Sequence, residues 1–321
     1  MPASDVTQAS TCPRCFAAVS SDTGCDGCGL VFHRRGGLLD VLGGKPRESR
    51  AAEVEGFYTA NPFPGYAPAD DVGSLLDRLR RSPFLRRLDA AIPATTRVLD
   101  CGCGTGQLAA FLALAGPNRE VFAMDGCWRS LQLAEEFRAR TETSNLQLVR
   151  ADLFDLPIRS RSFDVVVSRG VVHHTADPYQ AVTAVADAVA PGGYLVLGFY
   201  ESMARVVHRL RRGLGRLAGQ PLALLDPVLR SRNLDPERKR VWIEDQYHHP
   251  LEHVLPLPRV VRTLDELGFS WVRTVPLLEE RSVLFGATER PGLLWWRRAG
   301  WMLRGIGDSD AGLVFYIARR S

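Results

Sequence analysis

Residues 97–108 read RVLDCGCGTGQL, and this stretch decides the fold. Apolar residues run into Asp100, glycines alternate at Gly102, Gly104 and Gly106, and the following QLAAFLALAG has helical spacing. The pattern predicts a strand, a tight glycine turn and a helix. Because glycine has no Cβ and tolerates positive φ, backbone N–H groups in such a turn can approach a ligand closely. Taken alone, the turn fits a nucleotide-type cofactor site and tight strand-to-helix packing equally well.

Acidic side chains follow the next apolar runs, at the point where each predicted strand ends. The run 120–124 (EVFAM) ends in Asp125, and the run 146–150 is followed closely by Asp152. Asp125 lies about twenty residues past the turn, where a doubly wound sheet places the carboxylate that binds ribose hydroxyls. A further run, FDVVVS, ends at Arg169. We therefore expect a ligand site at the carboxyl edge of a parallel sheet.

Residues 97–197 resemble the class I S-adenosylmethionine-dependent methyltransferases. The matching pieces are VLDCGCGTG, Asp125 after the second strand, ADLFDLP with Asp152, FDVVVSRGVVHHTADP, and PGGYLVL. The turn has the spacing G-x-G-x-G and not the G-x-G-x-x-G of a dinucleotide site, which disfavours an NAD enzyme.

The resemblance implies roles for individual residues. The glycines of the turn would lie along the methionine part of S-adenosylmethionine, Asp125 would hold the ribose, and Asp152 would meet the adenine amino group. Residues beside these motifs complete the expected cofactor set: Asp100, Gly102, Cys103, Gly104, Gly106, Gly126, Leu153 and Ser168.

Strand and helix patterns alternate through residues 93–321, which predicts an α/β domain with a doubly wound, seven-stranded, mostly parallel sheet of the Rossmann-like kind. The runs 269–275 and 312–320 fit the C-terminal antiparallel hairpin of the resembled family. An arginine-rich insertion at about 200–250 interrupts this pattern. Two interpretations stay open for it: a cap over the acceptor pocket, and a surface for an anionic polymer or a membrane face.

Four cysteines near the start have metal-ligand spacing. CPRC and CDGC are separated by nine residues and supply Cys12, Cys15, Cys25 and Cys28. Four thiolates close a tetrahedral zinc shell and leave no open position, so the spacing predicts a structural Zn²⁺ in a zinc ribbon over residues 1–43. The alternative is four free surface thiols. The segment is similar to the ribbons beside some methyltransferase domains, including those of ribosomal-RNA guanine methyltransferases.

Residues 44–92 are expected to form a linker, an aromatic segment and an amphipathic helix. The aromatic segment GFYTANPFPGY looks like poor helix material because of its prolines. Its two interpretations are packing on the outside of the sheet and a lid over the substrates, with Tyr58 and Tyr66 as candidate contacts.

Two histidines stand where a base would face the reacting centre. A methylsulfonium is already activated, so the enzyme must align the acceptor, exclude water and remove a proton if the nucleophile carries one. His173 and His174 lie just beyond the fourth core strand. They are candidates for the base, His174 before His173, or for a hydrogen-bonded structural or cofactor-lining role.

Three further residues are predicted to line the acceptor pocket: Arg169, Tyr247 and His249. His249 and His253 are four residues apart, a metal-like spacing, but Pro250 and the lack of a third assured ligand disfavour a second metal site.

Composition adds limits to these interpretations. The formal net charge is +4, and no stretch has the apolar length of a membrane span or the pattern of a signal peptide. We expect a soluble, cytoplasmic enzyme that methylates a small-molecule acceptor. An RNA-base methyltransferase that docks its substrate through the zinc ribbon, and a cofactor-binding module without catalysis, are the alternatives; the sequence does not specify the oligomeric state.

Overall fold

The structure is a computed structural model that describes residues 10–44, 47–66, 70–219, 225–230, 236–276, 284–286, 295–304 and 312–321. Within these residues the strands are β1 Ser10–Thr11, β2 Ala18–Val19, β3 His33–Arg35, β4 Leu38–Asp40, β5 Arg97–Cys101, β6 Glu120–Asp125, β7 Leu146–Arg150, β8 Phe163–Arg169, β9 Val189–Tyr200, β10 Phe269–Val275 and β11 Leu313–Arg320.

The helices of the described residues are α1 Ser49–Ala60, α2 Val72–Arg80, α3 Pro83–Ala91, α4 Gln107–Ala115, α5 Trp128–Arg140, α6 Pro178–Asp187, α7 Val206–Leu217, α8 Pro227–Arg230, α9 Pro236–Ile243, α10 Leu257–Glu266 and α11 Trp295–Arg304. A 3₁₀ turn at Val172–His174 and a π-helical turn at Glu244–His248 complete them. No helix in this part of the chain is both long enough and apolar enough to cross a bilayer.

One nine-stranded sheet dominates the described structure, with the order β10-β11-β9-β8-β5-β6-β7-β4-β3. The pairs from β4 to β9 are parallel, and β9-β11 and β10-β11 are antiparallel. The central strands β5, β6 and β8 are continuous apolar runs because helices cover both faces of the sheet. The seven-stranded α/β core and its C-terminal antiparallel hairpin are confirmed.

The position of β5 explains where a ligand can bind. β5 lies between β6 and β8, so the chain leaves it in one direction to form β6 and later returns to its other side as β8. At such a switch point the connections after the strands diverge and leave a crevice at the carboxyl ends. The glycine turn follows β5 and opens directly into this crevice.

Residues 33–40 contribute two strands to the nine-stranded sheet that the sequence analysis did not predict. β4 pairs in parallel with β7, with Leu39 opposite Val149, and β3 closes the edge as a hairpin. All three residues of β4 are buried. The ring of Phe16, from the cysteine segment, packs edge-on against Phe122 and Phe163 at centroid distances of 5.7 and 5.8 Å. The boundary expected after residue 43 therefore divides two parts of one sheet.

The expectation that the aromatic segment avoids helical structure is wrong for its first half. Helix α1 includes Phe57 and Tyr58 and ends before Pro62. The side chain of Glu48 accepts from the backbone N–H groups of Arg50 and Ala51, which caps the helix at its N-terminus. Both prolines of the segment lie beyond the helix end, so they terminate α1 and do not interrupt it.

The described part of the insertion at 200–250 is mostly helical. α7 coincides with the predicted leucine-spaced helix, and α8, α9 and the π-helical turn follow. Residues 220–224 and 231–235 of the insertion lie outside the described residues. Just after the insertion the chain returns to the carboxyl end of β9, where Leu255 N–H donates to Tyr200 O at 2.8 Å.

Truncation of the buried Leu39 side chain of β4 should destabilise the whole sheet. Leu39 is 0% exposed, so Leu39→Ala leaves a cavity and should lower the free energy of unfolding by about 2–5 kcal/mol. Leu217 is 88% exposed, and Leu217→Ala is the matched control, with an expected change below about 0.5 kcal/mol. Urea unfolding measures both, and equal effects would show that β4 is not part of the core.

Candidate functional site

A cavity of about 580 Å³ opens at the carboxyl ends of the central strands. Its floor contains most of the predicted cofactor set: Asp100, Gly102, Cys103, Gly104, Asp125, Gly126, Asp152 and Leu153. Its walls come from α1, the segment after it, the turn after β8 and the insertion. Of the remaining predicted cofactor residues, Ser168 is fully buried within β8, and Gly106 is the N-cap residue just before α4. Neither of these two lies on the cavity surface.

The glycine turn is left-handed at each of its glycines. Gly102, Gly104 and Gly106 have φ of +75°, +54° and +74°, which L-residues with side chains rarely adopt. A Cβ on Gly104 would stand 2.4 Å from Phe63 O, and one on Gly102 would stand 2.4 Å from a methyl of Val171. The turn therefore requires glycine both for its conformation and for the close approach of its neighbours.

Asp125 locks the turn to the next strand. Gly104 N–H donates to one carboxylate oxygen and Cys127 N–H to the other, both at 2.8 Å. Burial raises the pKa of Asp125, while these two donors and Arg47 oppose the shift. Each carboxylate oxygen retains a second acceptor position, so the group can still receive hydrogen bonds from ribose hydroxyls.

Asp100 gives the clearest indication of where a ligand would be held. Its Oδ2 is buried and has no hydrogen-bond partner among the described residues. Burial raises its pKa to about 7; Arg169 lowers the pKa, and Asp125 raises it. A buried carboxylate oxygen without a donor is costly, and a ligand ammonium would satisfy it. This observation fits the amino group of an amino-acid-bearing cofactor such as S-adenosylmethionine.

Arg47 is a site residue that sequence reasoning missed. Its guanidinium forms ion pairs with Asp152 at 3.3 Å and with Glu55 at 3.2 Å. It also lies over Gly126, where a Cβ would stand 2.3 Å from it. Arg47 precedes α1 in a stretch expected to be linker, and no periodic pattern marks it. It closes the cavity over the two carboxylates assigned to adenosine.

The segment that follows α1 is an ordered cover over the glycine turn. Phe63 O accepts from Thr105 N–H at 3.3 Å, and Gly65 O accepts from the Gln107 side chain at 2.8 Å. Tyr58 lines the cavity, as expected. Tyr66 does not, because its ring stacks on Phe137 at 4.6 Å on the outer side of the turn.

The two candidate histidines differ in their surroundings. His174 lines the cavity, and its Nδ1 lies 2.7 Å from Leu251 O, which fixes the proton on Nδ1 and leaves Nε2 as an acceptor. Burial lowers the pKa of His174 to about 3. His173 is 0% exposed, lies off the cavity surface, and its Nδ1 accepts from Tyr200 N–H at 3.3 Å. Burial lowers the pKa of His173 well below its usual value, so His173 has a structural environment.

The other predicted pocket residues divide in the same way. Arg169 lines the cavity. Tyr247 lies behind the wall and donates to Asp226 at 2.7 Å. His249 packs against His174 with ring centroids 3.7 Å apart and a tilt of 33° between the ring planes, and it does not line the cavity. The chain leaves the helical turn before His249, so His249 and His253 do not share a helix face.

A polar network on the acceptor side was also missed. Tyr58 OH donates to Asp245 Oδ1 at 3.1 Å, and the Gln246 side-chain nitrogen donates to Asp245 Oδ2 and to Tyr200 OH, both at 2.7 Å. Trp242 joins these residues on the cavity wall. Asp245 belongs to the π-helical turn, whose spacing has no regular sequence signature.

The four N-terminal cysteines converge. Cys12 and Cys28 have sulfurs 3.7 Å apart, Cys15 and Cys25 have sulfurs 3.5 Å apart, and all four sulfurs lie within 4.8 Å of one another. Four thiolates at about 2.3 Å around a tetrahedral Zn²⁺ have sulfur separations of about 3.8 Å. The donor set and its spacing fit a four-thiolate zinc site.

Comparison with known proteins agrees with this geometry. Residues 99–197 match a family model described as a methyltransferase domain. An uncharacterised methyltransferase of Mycobacterium bovis is 35% identical over 133 residues, which cover 40% of this chain and 61% of that protein. A tRNA U34 carboxymethyltransferase of Methylococcus capsulatus is 33% identical over 133 residues, covering 40% of this chain and 41% of that protein.

A solved structure shares the fold. The magnesium protoporphyrin IX methyltransferase of Synechocystis PCC 6803 with bound SAH superposes with a TM-score of 0.50 at 16% identity, covering 85% of this chain and 100% of that one. Matches to the first curated relatives span 30% to 61% of their own lengths. Residues 99–197 therefore form a methyltransferase domain, and the sheet around them has the Rossmann-like fold of the SAH-bound methyltransferase; both findings confirm the resemblance seen in the sequence.

Protonation of His174 should destabilise the protein in acid. The folded pKa of about 3 lies below the unfolded value of about 6.5, so below pH 6.5 only the unfolded chain gains this proton. The free energy of unfolding therefore falls by about 1.4 kcal/mol per pH unit below pH 6.5, which amounts to about 2 kcal/mol at pH 5. His174→Gln should lose about that much less between pH 7.5 and pH 5 than the parent protein, as measured by urea unfolding. Parallel pH dependences in the two proteins would contradict a neutral His174.

Proposed function

We propose that the protein transfers a methyl group from S-adenosylmethionine to a small-molecule acceptor at oxygen, nitrogen, carbon or sulfur. The observation that carries this proposal is the continuity of one cavity. The same space is lined by the glycine turn, by Asp100 and Asp125, and by the polar wall at Tyr58 and Asp245. Donor and acceptor can therefore share one cavity.

The chain's own groups divide the work of binding. Gly102 and Gly104 admit the cofactor backbone, Asp125 receives ribose hydroxyls, and Asp100 receives an ammonium. When bound, S-adenosylmethionine supplies a methyl group on a positively charged sulfur, so the protein's main contributions are alignment and exclusion of water. Helix α1 and residues 61–66 cover the cavity and support the lid interpretation.

His174 supports the proposal as a hydrogen-bond acceptor and not as a strong base. Its Nε2 lone pair is available, but a pKa of about 3 makes it a weak proton acceptor at neutral pH. We assign His174 the role of positioning the acceptor. The ring of His249 packs against the ring of His174.

An RNA acceptor is the second candidate. It is favoured by the similarity to a tRNA-modifying enzyme and by the arginines that α7 exposes, including Arg209 and Arg216. An RNA substrate would bind with an affinity that falls steeply as salt rises, because bound counterions are released. The cavity's volume of about 580 Å³, with walls from α1 and the insertion, supports the small-molecule acceptor over this candidate.

We also propose that the four cysteines hold a structural Zn²⁺. All four ligands come from the chain, so no coordination position is left for a substrate. The site would fix the fold of a segment whose Phe16 packs against the main sheet.

Loss of the Asp125 charge should weaken cofactor binding. Asp125→Asn removes a charged acceptor worth about 1.5–3 kcal/mol, so the affinity for S-adenosylhomocysteine should fall by about tenfold or more. The matched control is Asp155→Asn, at an exposed aspartate that does not line the cavity. Isothermal titration calorimetry measures both. An unchanged affinity in Asp125→Asn would refute the cofactor site assigned here.

The purified protein should contain about one zinc ion per chain. Cys15 is exposed, so Cys15→Ser removes a ligand with little loss of packing and should release the zinc and lower the melting temperature. Cys127→Ser, at a cysteine outside the cluster, should keep the zinc. Elemental analysis distinguishes the two variants, and equal metal content in both would exclude the four-cysteine site.

A further inference from the structure

Asp245 is a buried carboxylate on the cavity wall that has only neutral partners among the described residues. It is 5% exposed, and its two oxygens accept from Tyr58 OH and from the Gln246 side chain. Tyr58 belongs to the lid helix α1, and Gln246 belongs to the insertion. The carboxylate is thus oriented by two separate parts of the chain that meet at the cavity.

Arg205 is the cation that lowers the pKa of Asp245, but its direct partners are other residues. Arg205 donates to Gln246 Oε1 at 2.8 Å and forms an ion pair with Glu252 at 2.7 Å. On the cofactor side of the cavity, Arg169 acts on Asp100, whose pKa it lowers. A buried charge is stable when it is paired, and Asp245 has no direct cation partner among the described residues.

The groups that face Asp245 leave it ionised at neutral pH. Burial raises its pKa to about 6, Gln246, Tyr58 and Arg205 lower it, and Glu252 raises it. Each carboxylate oxygen accepts one hydrogen bond and keeps one acceptor position for a ligand. His174, whose Nε2 is left as a hydrogen-bond acceptor, lines the same cavity.

We propose that Asp245 binds a protonated amino group of the methyl acceptor, which orients the molecule and is not itself the methylated atom, so that the acceptor is a small organic amine. This inference rests on the methyltransferase function proposed above and names its substrate class. A protonated amine supplies both the charge and the N–H donors that Asp245 and His174 lack. A carboxylate or phosphate acceptor would instead meet a like charge and a lone pair, which would oppose binding.

Three ligands with one ring and different charges test the proposal: benzylamine, benzyl alcohol and benzoate. Saturation-transfer NMR on the full chain with S-adenosylhomocysteine present gives their affinities. Benzylamine should bind at least about tenfold more tightly than benzoate, a difference of about 1.4 kcal/mol. Asp245→Asn should remove that preference. Glu244→Gln, at a partly exposed neighbour in the same turn, is the matched control and should retain it.

The outcomes separate the two proposals. If S-adenosylhomocysteine binds but benzylamine does not bind better than benzoate, or if Asp245→Asn leaves the preference intact, the amine proposal is wrong and the methyltransferase proposal stands. If S-adenosylhomocysteine itself does not bind to the parent protein, the failure belongs to the methyltransferase proposal.

A measurement on the parent protein covers the case in which Asp245→Asn does not fold. Benzylamine stays protonated between pH 5 and pH 8, so its affinity should fall several-fold as Asp245 gains a proton, with a midpoint near 6. Benzyl alcohol should show no such fall. Of the facing groups, Tyr58 and Tyr200 have raised pKa values and Glu252 a lowered one, while Asp100 titrates nearer 7. A benzylamine affinity that is constant over this range would overturn the proposal.

Discussion

The hydrogen bond from Gly104 N–H to Asp125 holds the site together. It ties the turn after β5 to the end of β6, and it can form only because the turn is left-handed at its glycines. The same conformation lets Phe63 O approach Gly104 and lets the Gln107 side chain hold the cover segment. The floor of the cavity and its lid therefore depend on one short backbone path.

Much of the fold could be predicted because its signals are local. The strand periodicity, the glycine turn and the leucine spacing of α7 are each readable within a dozen residues, and all three are found in the structure. The four-cysteine cluster was also readable, because metal ligands have characteristic spacing. The carboxylates at the ends of β6 and β7 could be predicted because each follows an apolar strand pattern within a few residues.

The missed features arise from contacts that are distant in sequence. Joining β4 to β7 places Leu39 beside Val149, a pairing that no local pattern specifies. Arg47 reaches Asp152 across more than a hundred residues, and Tyr58 reaches Asp245 across a still longer separation. For α1, the prolines were expected to exclude helical structure from the segment. In the structure they follow the helix and mark where it ends. The sequence could show which residues carry chemistry, but their neighbours depend on the tertiary fold.

The pairing of β4 with β7 also affects the tendency of the protein to self-associate through an exposed sheet edge. Without β3 and β4, the backbone N–H and C=O groups on one side of β7 would be exposed along an apolar edge that could add a strand from another molecule. The short hairpin instead makes β3 the edge strand. Its residues His33, Arg34 and Arg35 are exposed or half-exposed, and the charges of the two adjacent arginines disfavour pairing with a second copy. The hairpin of β3 and β4 thus also protects β7 from edge-to-edge association.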